Sequence, residues 1–226
     1  MKKNKWKRTV GLLFVVIAVA LLSWMIKYLL DVPYRKQLPG YTTADLLSKP
    51  VSEQLEKATA AARFFTTADR LGKLGMVYYS FGNYAKATQC YELAVAKNSD
   101  QWIWNYYLGY ANLEQGELEA AIQHFKQVTK KDPTVATAFY YAGEACQKLG
   151  LTEDATKYFA TTIGLKKLHP QEINPLRGNG FSLETYARFQ LARIYLSTAQ
   201  PDSAENMLTE ILQQEISFGP AYRLLG

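Results

Sequence analysis

Few residues of this chain could do covalent or metal chemistry. It has two cysteines, Cys90 and Cys146, and two histidines, His124 and His169. They are too few and too scattered for a structural zinc cage or a haem attachment. The sequence holds no C-x-x-C-H, no phosphate-cradling P-loop, no G-x-S-x-G elbow and no H-E-x-x-H helix. Tyrosine, glutamate and lysine abound, yet nothing sets a nucleophile beside a base. No enzyme activity, catalytic residue, cofactor or metal is therefore expected. The abundance lies in 16 tyrosines, more than cores alone usually ask for. Tyrosine combines a large contact area with a hydrogen bond at small entropy cost, which is the chemistry of recognition.

Composition narrows the partner. With 226 residues, 48% hydrophobic and 20% charged, the chain is neither a disordered tail nor a polytopic membrane protein. Its formal charge is +6, but Lys2, Lys3, Lys5, Lys7 and Arg8 supply five of those charges, leaving +1 for residues 9–226. A near-neutral body excludes a phosphate-backbone footprint, so no nucleic acid is expected, and no small-molecule substrate is evident.

Behind the basic segment 1–8 lies an apolar stretch, Thr9 to Ile26, extended past Lys27 by Tyr28, Leu29 and Leu30. At about 1.5 Å of rise per residue, roughly 20 helical residues cross a hydrocarbon core. Residues 9–30 thus read as a transmembrane anchor in the lipid bilayer, with Lys27 snorkelling and Trp24 and Tyr28 near the headgroups. The basic cluster keeps the N-terminus cytoplasmic and sends the rest outward. Two other readings stay open: a signal peptide cleaved after Ala18-Val19-Ala20, and a buried core helix. Pro33, Pro39, Pro50 and Gly40 make 31–50 an extended linker, a plain spacer or a docking strap using Tyr34 and Tyr41. Val51, Leu55, Ala58 and Ala62 recur at helical spacing, so 51–67 reads as a lead-in helix.

The rest repeats. Gly75, Gly109 and Gly143 are 34 residues apart, as are Gly82, Gly116 and Gly150, and Ala87, Ala121 and Ala155. Tyr91, Phe125 and Phe159 keep the same step, and a fourth copy follows at an offset of 49 as Leu191-Ala192, Ala204 and Leu208. Each unit reads as a helix, a turn at the second glycine, and another helix. Small residues let the backbones approach, and the aromatic ring fills the space between pairs. One pair cannot bury its apolar face alone, so the units stack.

These residues resemble the tetratricopeptide repeat (TPR) family, in its membrane-anchored bacterial layout. Leu74-Gly75, Tyr78, Ala87, Tyr91 and Ala94 carry the likeness in the first copy. Leu108-Gly109, Ala121, Phe125 and Pro133 carry it in the second, and Ala142-Gly143, Ala155 and Phe159 in the third. Asn105, where the family often has tryptophan, and Thr162 depart from it. The resemblance implies an all-α fold, a transmembrane helix followed by a TPR-like helical-hairpin solenoid. Its four repeats would span 68–101, 102–135, 136–169 and 185–218, with an insertion at 170–184. Residues 219–226 read as the start of a partial fifth repeat, so the natural chain is expected to continue or another chain to cover that end.

The resemblance further implies a concave groove lined by each first helix. Its phase puts Met76, Tyr79, Tyr106, Tyr110, Tyr140, Glu144, Phe189 and Arg193 along it as partner-binding residues. The basic carboxylate clamp of chaperone-tail binders is absent, because Gly72, Met76, Tyr107, Thr137 and Tyr141 occupy its positions. A second candidate surface is the insertion, as a docking loop carrying His169, Asn174, Arg177 and Phe181. Cys90 and Cys146, two repeats apart, lie beyond disulfide reach.

The expected function is a membrane-tethered protein-interaction scaffold, an accessory subunit of an envelope or membrane complex that binds a protein or peptide partner. It would sit in the inner membrane as a single-pass protein with its repeats in the periplasm or an equivalent outer compartment. The alternative is an assembly factor or chaperone handling extended clients. Anchored bacterial TPR proteins of similar layout serve cytochrome c maturation and the protein translocon.

Overall fold

A computed structural model describes residues 2–40, 49–168 and 180–226, which form twelve helices. They divide into two compact units, Met1–Lys97 and Asn98–Gly226.

The first unit begins with α1 (Lys2–Leu30). Its stretch Gly11–Leu30 has a mean hydropathy of 2.3, and none of it is buried within the chain. The linker then departs from an extended tether. Asp31 opens a short helix, α2 (Val32–Lys36), and residues 31–40 form a strap on the first repeat. Asp31, 4% exposed, pairs with Lys97, whose ammonium also lies 4.5 Å over the Tyr34 ring. The Tyr34 hydroxyl donates to the Ala96 carbonyl (3.4 Å), Gln89 Nε2 to the Gln37 carbonyl (2.8 Å) and the Tyr78 hydroxyl to the Pro39 carbonyl (3.3 Å). Leu38 is buried as well. Proline removes donors as expected, but the Gln37 and Pro39 carbonyls accept from specific side chains of the first repeat. Tyr41 lies outside the described residues.

After the strap come α3 (Lys49–Phe64), α4 (Ala68–Ser80) and α5 (Tyr84–Lys97). Thr67 caps α4 by accepting from the Arg70 N–H at 3.3 Å, satisfying one of the orphan donors of a helix start. Leu55 of α3 and Leu71, Leu74, Tyr78, Tyr91 and Ala94 of the α4/α5 hairpin are fully buried.

The second unit stacks three hairpins: α6 (Trp102–Gln115) with α7 (Leu118–Lys131), α8 (Ala136–Lys148) with α9 (Thr152–Leu168), and α10 (Leu183–Ser197) with α11 (Pro201–Gln214). A last helix, α12 (Gly219–Leu225), packs on α11. Phe218 anchors that end, buried among Phe181, Tyr186 and Phe189 with ring centroids 5.0–5.9 Å apart.

The 34-residue step has two physical roots. First, every first helix of the four hairpins ends on a left-handed residue: Gly82 (φ 75°), Gly116 (80°), Gly150 (77°) and, in the fourth copy, Ala199 (56°). In each, the next residue returns its N–H to a carbonyl five positions back: Asn83 to Tyr78, Glu117 to Asn112, Leu151 to Cys146 and Gln200 to Tyr195. That is the Schellman stop, which glycine enters without strain and alanine does not. Second, Gly75, Gly109 and Gly143 lie against the aromatic of their own hairpin. A Cβ there would fall 2.6 Å from Tyr91 Cε1, 3.1 Å from Phe125 Cε1 and 2.8 Å from Phe159 Cε1.

Candidate functional site

The first-helix face of the second unit is built on rings. Tyr106 and Tyr110 of α6 and Tyr140 of α8, the tyrosines expected in the groove, are 6%, 8% and 0% exposed. They pack edge-on around Tyr141, the residue at one of the absent clamp's positions. Tyr141 meets Tyr110 at 4.8 Å, Tyr140 at 5.4 Å, Phe125 at 5.9 Å and Tyr106 at 6.2 Å between centroids. The three tyrosines meet Tyr141 edge to face, the positive ring edge on the negative face of its neighbour, while Phe125 stacks on it. Sequence phase put these residues on the right helices but could not say whether the next hairpin would cover them.

Several buried polar groups here are paired. The Tyr140 hydroxyl donates to Glu144 Oε1 at 3.0 Å, so the carboxylate one turn on is held on the same face. Asn105 Oδ1 lies 3.3 Å from His124 Nδ1, and burial pushes the His124 pKa below its ordinary value. Asn105 thus spends the family's frequent tryptophan position on a side-chain contact with α7. In the last hairpin, Arg188 is buried (4% exposed) and donates to Glu184 and, at 2.8 Å, to Glu210 Oε2. The Glu210 contact ties α10 to α11, while Glu184 holds the guanidinium from within α10.

Other expected residues sit closer to solvent. Arg193 is exposed and donates to Gln190 Oε1 at 3.0 Å. Phe189 is half-buried against Phe218. In the first unit Met76 is 39% exposed, while the half-buried Tyr79 packs on Tyr84 with 5.1 Å between centroids. Phe181 of the insertion joins the Phe218 cluster; His169, Asn174 and Arg177 lie outside the described residues.

Among the described residues no reactive chemistry is assembled. Cys90 and Cys146 are free and buried, and burial pushes the Cys90 thiol up to about 12 and raises Cys146. A thiol held in its neutral form is a poor nucleophile. Among the described residues no three His, Cys, Asp or Glu side chains converge to hold a metal.

Stacked helical hairpins with an aromatic interior and a mixed first-helix face define a helical-repeat interaction protein. A tetratricopeptide repeat family model matches residues 73–136, so the chain carries tetratricopeptide repeats there, and its stacked hairpins have the fold of tetratricopeptide repeat proteins. Among curated proteins it is 25% identical over 173 residues to the peroxisomal targeting signal receptor of Eremothecium gossypii, covering 74% of this chain and 29% of the receptor. It is 22% identical over 155 residues to the receptor of that name from Candida glabrata, covering 64% and 26%. The chain therefore spans less than a third of these relatives' length. Among solved structures, MamA from Desulfovibrio magneticus RS-1 superposes with a TM-score of 0.64 at 16% identity, over 85% of this chain and 97% of that one. YrrB, a TPR protein with an unusual peptide-binding site, does so with a TM-score of 0.63 at 15% identity, over 77% and 82%. At such identities the likeness is one of fold.

Proposed function

We infer that this protein is a membrane-tethered interaction scaffold, an accessory subunit that holds a protein partner at a membrane. The observation that carries the tether is α1: 20 consecutive residues with a mean hydropathy of 2.3, none buried by the rest of the chain. So large an apolar surface left in water would be strongly unfavourable, at roughly 25 cal/mol per Å², whereas a bilayer covers it. The basic segment at Lys2–Arg8 supports a single pass through an inner membrane with a cytoplasmic N-terminus and periplasmic repeats.

The partner is a protein or peptide, a reading supported by the repeat fold and by the peptide-binding site of YrrB. In the first unit Met76 and Tyr79 are the contacts on offer. In the second unit Phe189 and Arg193 supply contacts, and the packed Tyr106, Tyr110, Tyr140 and Glu144 give the same first-helix face a rigid floor. Tyrosines locked in this way favour a fixed docking surface over the adaptable groove that an assembly factor or chaperone for extended clients would need. Purification from native membranes in mild detergent, followed by mass spectrometry, tests the proposal. Stoichiometric partners that survive washing support a fixed subunit, and their loss in Met76→Glu or in Arg193→Glu, made separately, would assign the surface of the unit concerned. A broad, substoichiometric set of secreted or membrane proteins would overturn it in favour of client handling.

A further inference from the structure

The end of α1, the strap and the end of α3 meet around an open cleft of ≈ 610 Å³ lined by Trp24, Tyr28, Arg35, Ala60, Arg63 and Phe64. We propose that this cleft is a binding site for the headgroup of an anionic phospholipid, with the lipid phosphate between Arg35 and Arg63. The proposal rests on the tether described above. Position along the span is the first argument. Trp24 and Tyr28 precede the end of the span at Leu30 and Arg35 follows it. The cleft therefore straddles the boundary between acyl chains and headgroups, with its aromatic wall on the acyl side and its arginine on the phosphate side.

The arrangement of Arg35 is the second. Trp24 and Tyr28 stack at 5.7 Å, and the Arg35 guanidinium lies over the Tyr28 ring at 3.7 Å while donating to the Tyr28 carbonyl. A guanidinium has five N–H donors in a planar fork. Tyr28 therefore fixes the plane of Arg35 against α1, leaving donors for a second acceptor. The strap holds α2 in that place through Asp31 and Lys97.

The third is the complement of the lining. Among the described residues it has two arginines and no carboxylate, and the rest is aromatic or small. Phe64, 69% exposed at the last position of α3 beside exposed Arg63, has no reason to face water but suits the acyl boundary. Two planar cations match a phosphate diester, and the apolar wall selects one that carries acyl chains.

Native mass spectrometry of the full chain in mild detergent, titrated with phosphatidylglycerol or phosphatidylcholine, tests this. One phosphatidylglycerol should be retained in preference to phosphatidylcholine. Arg63→Gln should weaken that retention about fivefold, the contribution of one basic residue near an anionic surface, and Arg63→Gln with Phe64→Ala further. Both positions are exposed, and an unchanged circular dichroism spectrum should show that folding is intact. Lys3→Gln with Lys5→Gln should leave the stoichiometry unchanged. Equal retention of the two lipids, or retention indifferent to Arg63, overturns the site, and competition by millimolar inorganic phosphate overturns its assignment to lipid. Alkaline carbonate extraction separates the two readings. A chain that stays in the membrane pellet yet shows no lipid preference loses only the cleft, whereas a chain that is released loses the tether.

Discussion

Replacing Gly143 by alanine sets two effects against each other. Alanine is the better helix former by about 1 kcal/mol, so in open space the change would stabilise α8. Here the new Cβ would lie 2.8 Å from Phe159 Cε1 and 3.0 Å from its Cδ1 and Cζ, where carbon atoms ordinarily rest about 3.5–4.0 Å apart. The ring cannot swing away: Phe159 is fully buried, with Tyr140 at 5.6 Å between centroids. The hairpin must open by several tenths of an ångström, and such overpacking costs about 1–3 kcal/mol. Gly164, in α9 of the same hairpin, provides the control, because nothing lies within 4 Å of its Cβ position. Gly164→Ala should stabilise by about 0.5–1 kcal/mol. The difference between the variants isolates the packing cost, at roughly 2–4 °C in Tm per kcal/mol. Thermal melts of the full chain in detergent at 222 nm read it, with α1 contributing a constant background. Gly143→Ala should melt below Gly164→Ala by several degrees, and adding Phe159→Leu should recover part of the loss. If both alanine variants rise together, the close approach of glycine to ring does not govern the repeat.

Further predictions address the remaining features. Ala199→Gly should raise the melting temperature, because it relieves a left-handed alanine worth about 1–2 kcal/mol and gives back about half in unfolded-state entropy. His124 is held neutral by burial, so its contribution is complete above about pH 6.5 and is lost as pH falls through its lowered value; His124→Gln should flatten that acid limb of a stability profile. Cys90, pushed up to about 12, and Cys146 should resist a thiol reagent at pH 8 in the folded chain and react together after denaturation; fast labelling of either in the native state would contradict their burial. Asp31→Asn removes the charge paired with Lys97 and should detach the strap, seen as faster amide exchange and proteolysis at residues 31–40 with the α4/α5 hairpin intact.

Much of the architecture is legible in the residues because the repeat is a local code. Gly82, Gly116 and Gly150 mark helix stops through backbone conformation alone, and Gly75, Gly109 and Gly143 pair with an aromatic residue 16 positions on in the same hairpin. Neither requires knowledge of distant neighbours. The apolar run of α1 is equally plain, since length and lack of charge decide whether a helix can cross a bilayer.

Burial of the groove tyrosines is a different kind of fact. Tyr106, Tyr110 and Tyr140 have the phase of a lining surface, but exposure depends on how closely the α8/α9 hairpin settles on α6, and Tyr141 fills that gap. The strap is similar: Pro33, Pro39 and Gly40 announce an irregular segment, while its partners Gln89, Ala96 and Lys97 lie more than 50 residues on. Arg35, Arg63 and Phe64 carry no motif at all and become a cleft only when three elements converge. Helices, their stops, their repeat and the apolar span are thus readable in the residues, because each follows from contacts within a few turns. Which tyrosines are buried, where residues 31–40 dock and which arginines line one cleft depend on long-range packing that no local pattern encodes.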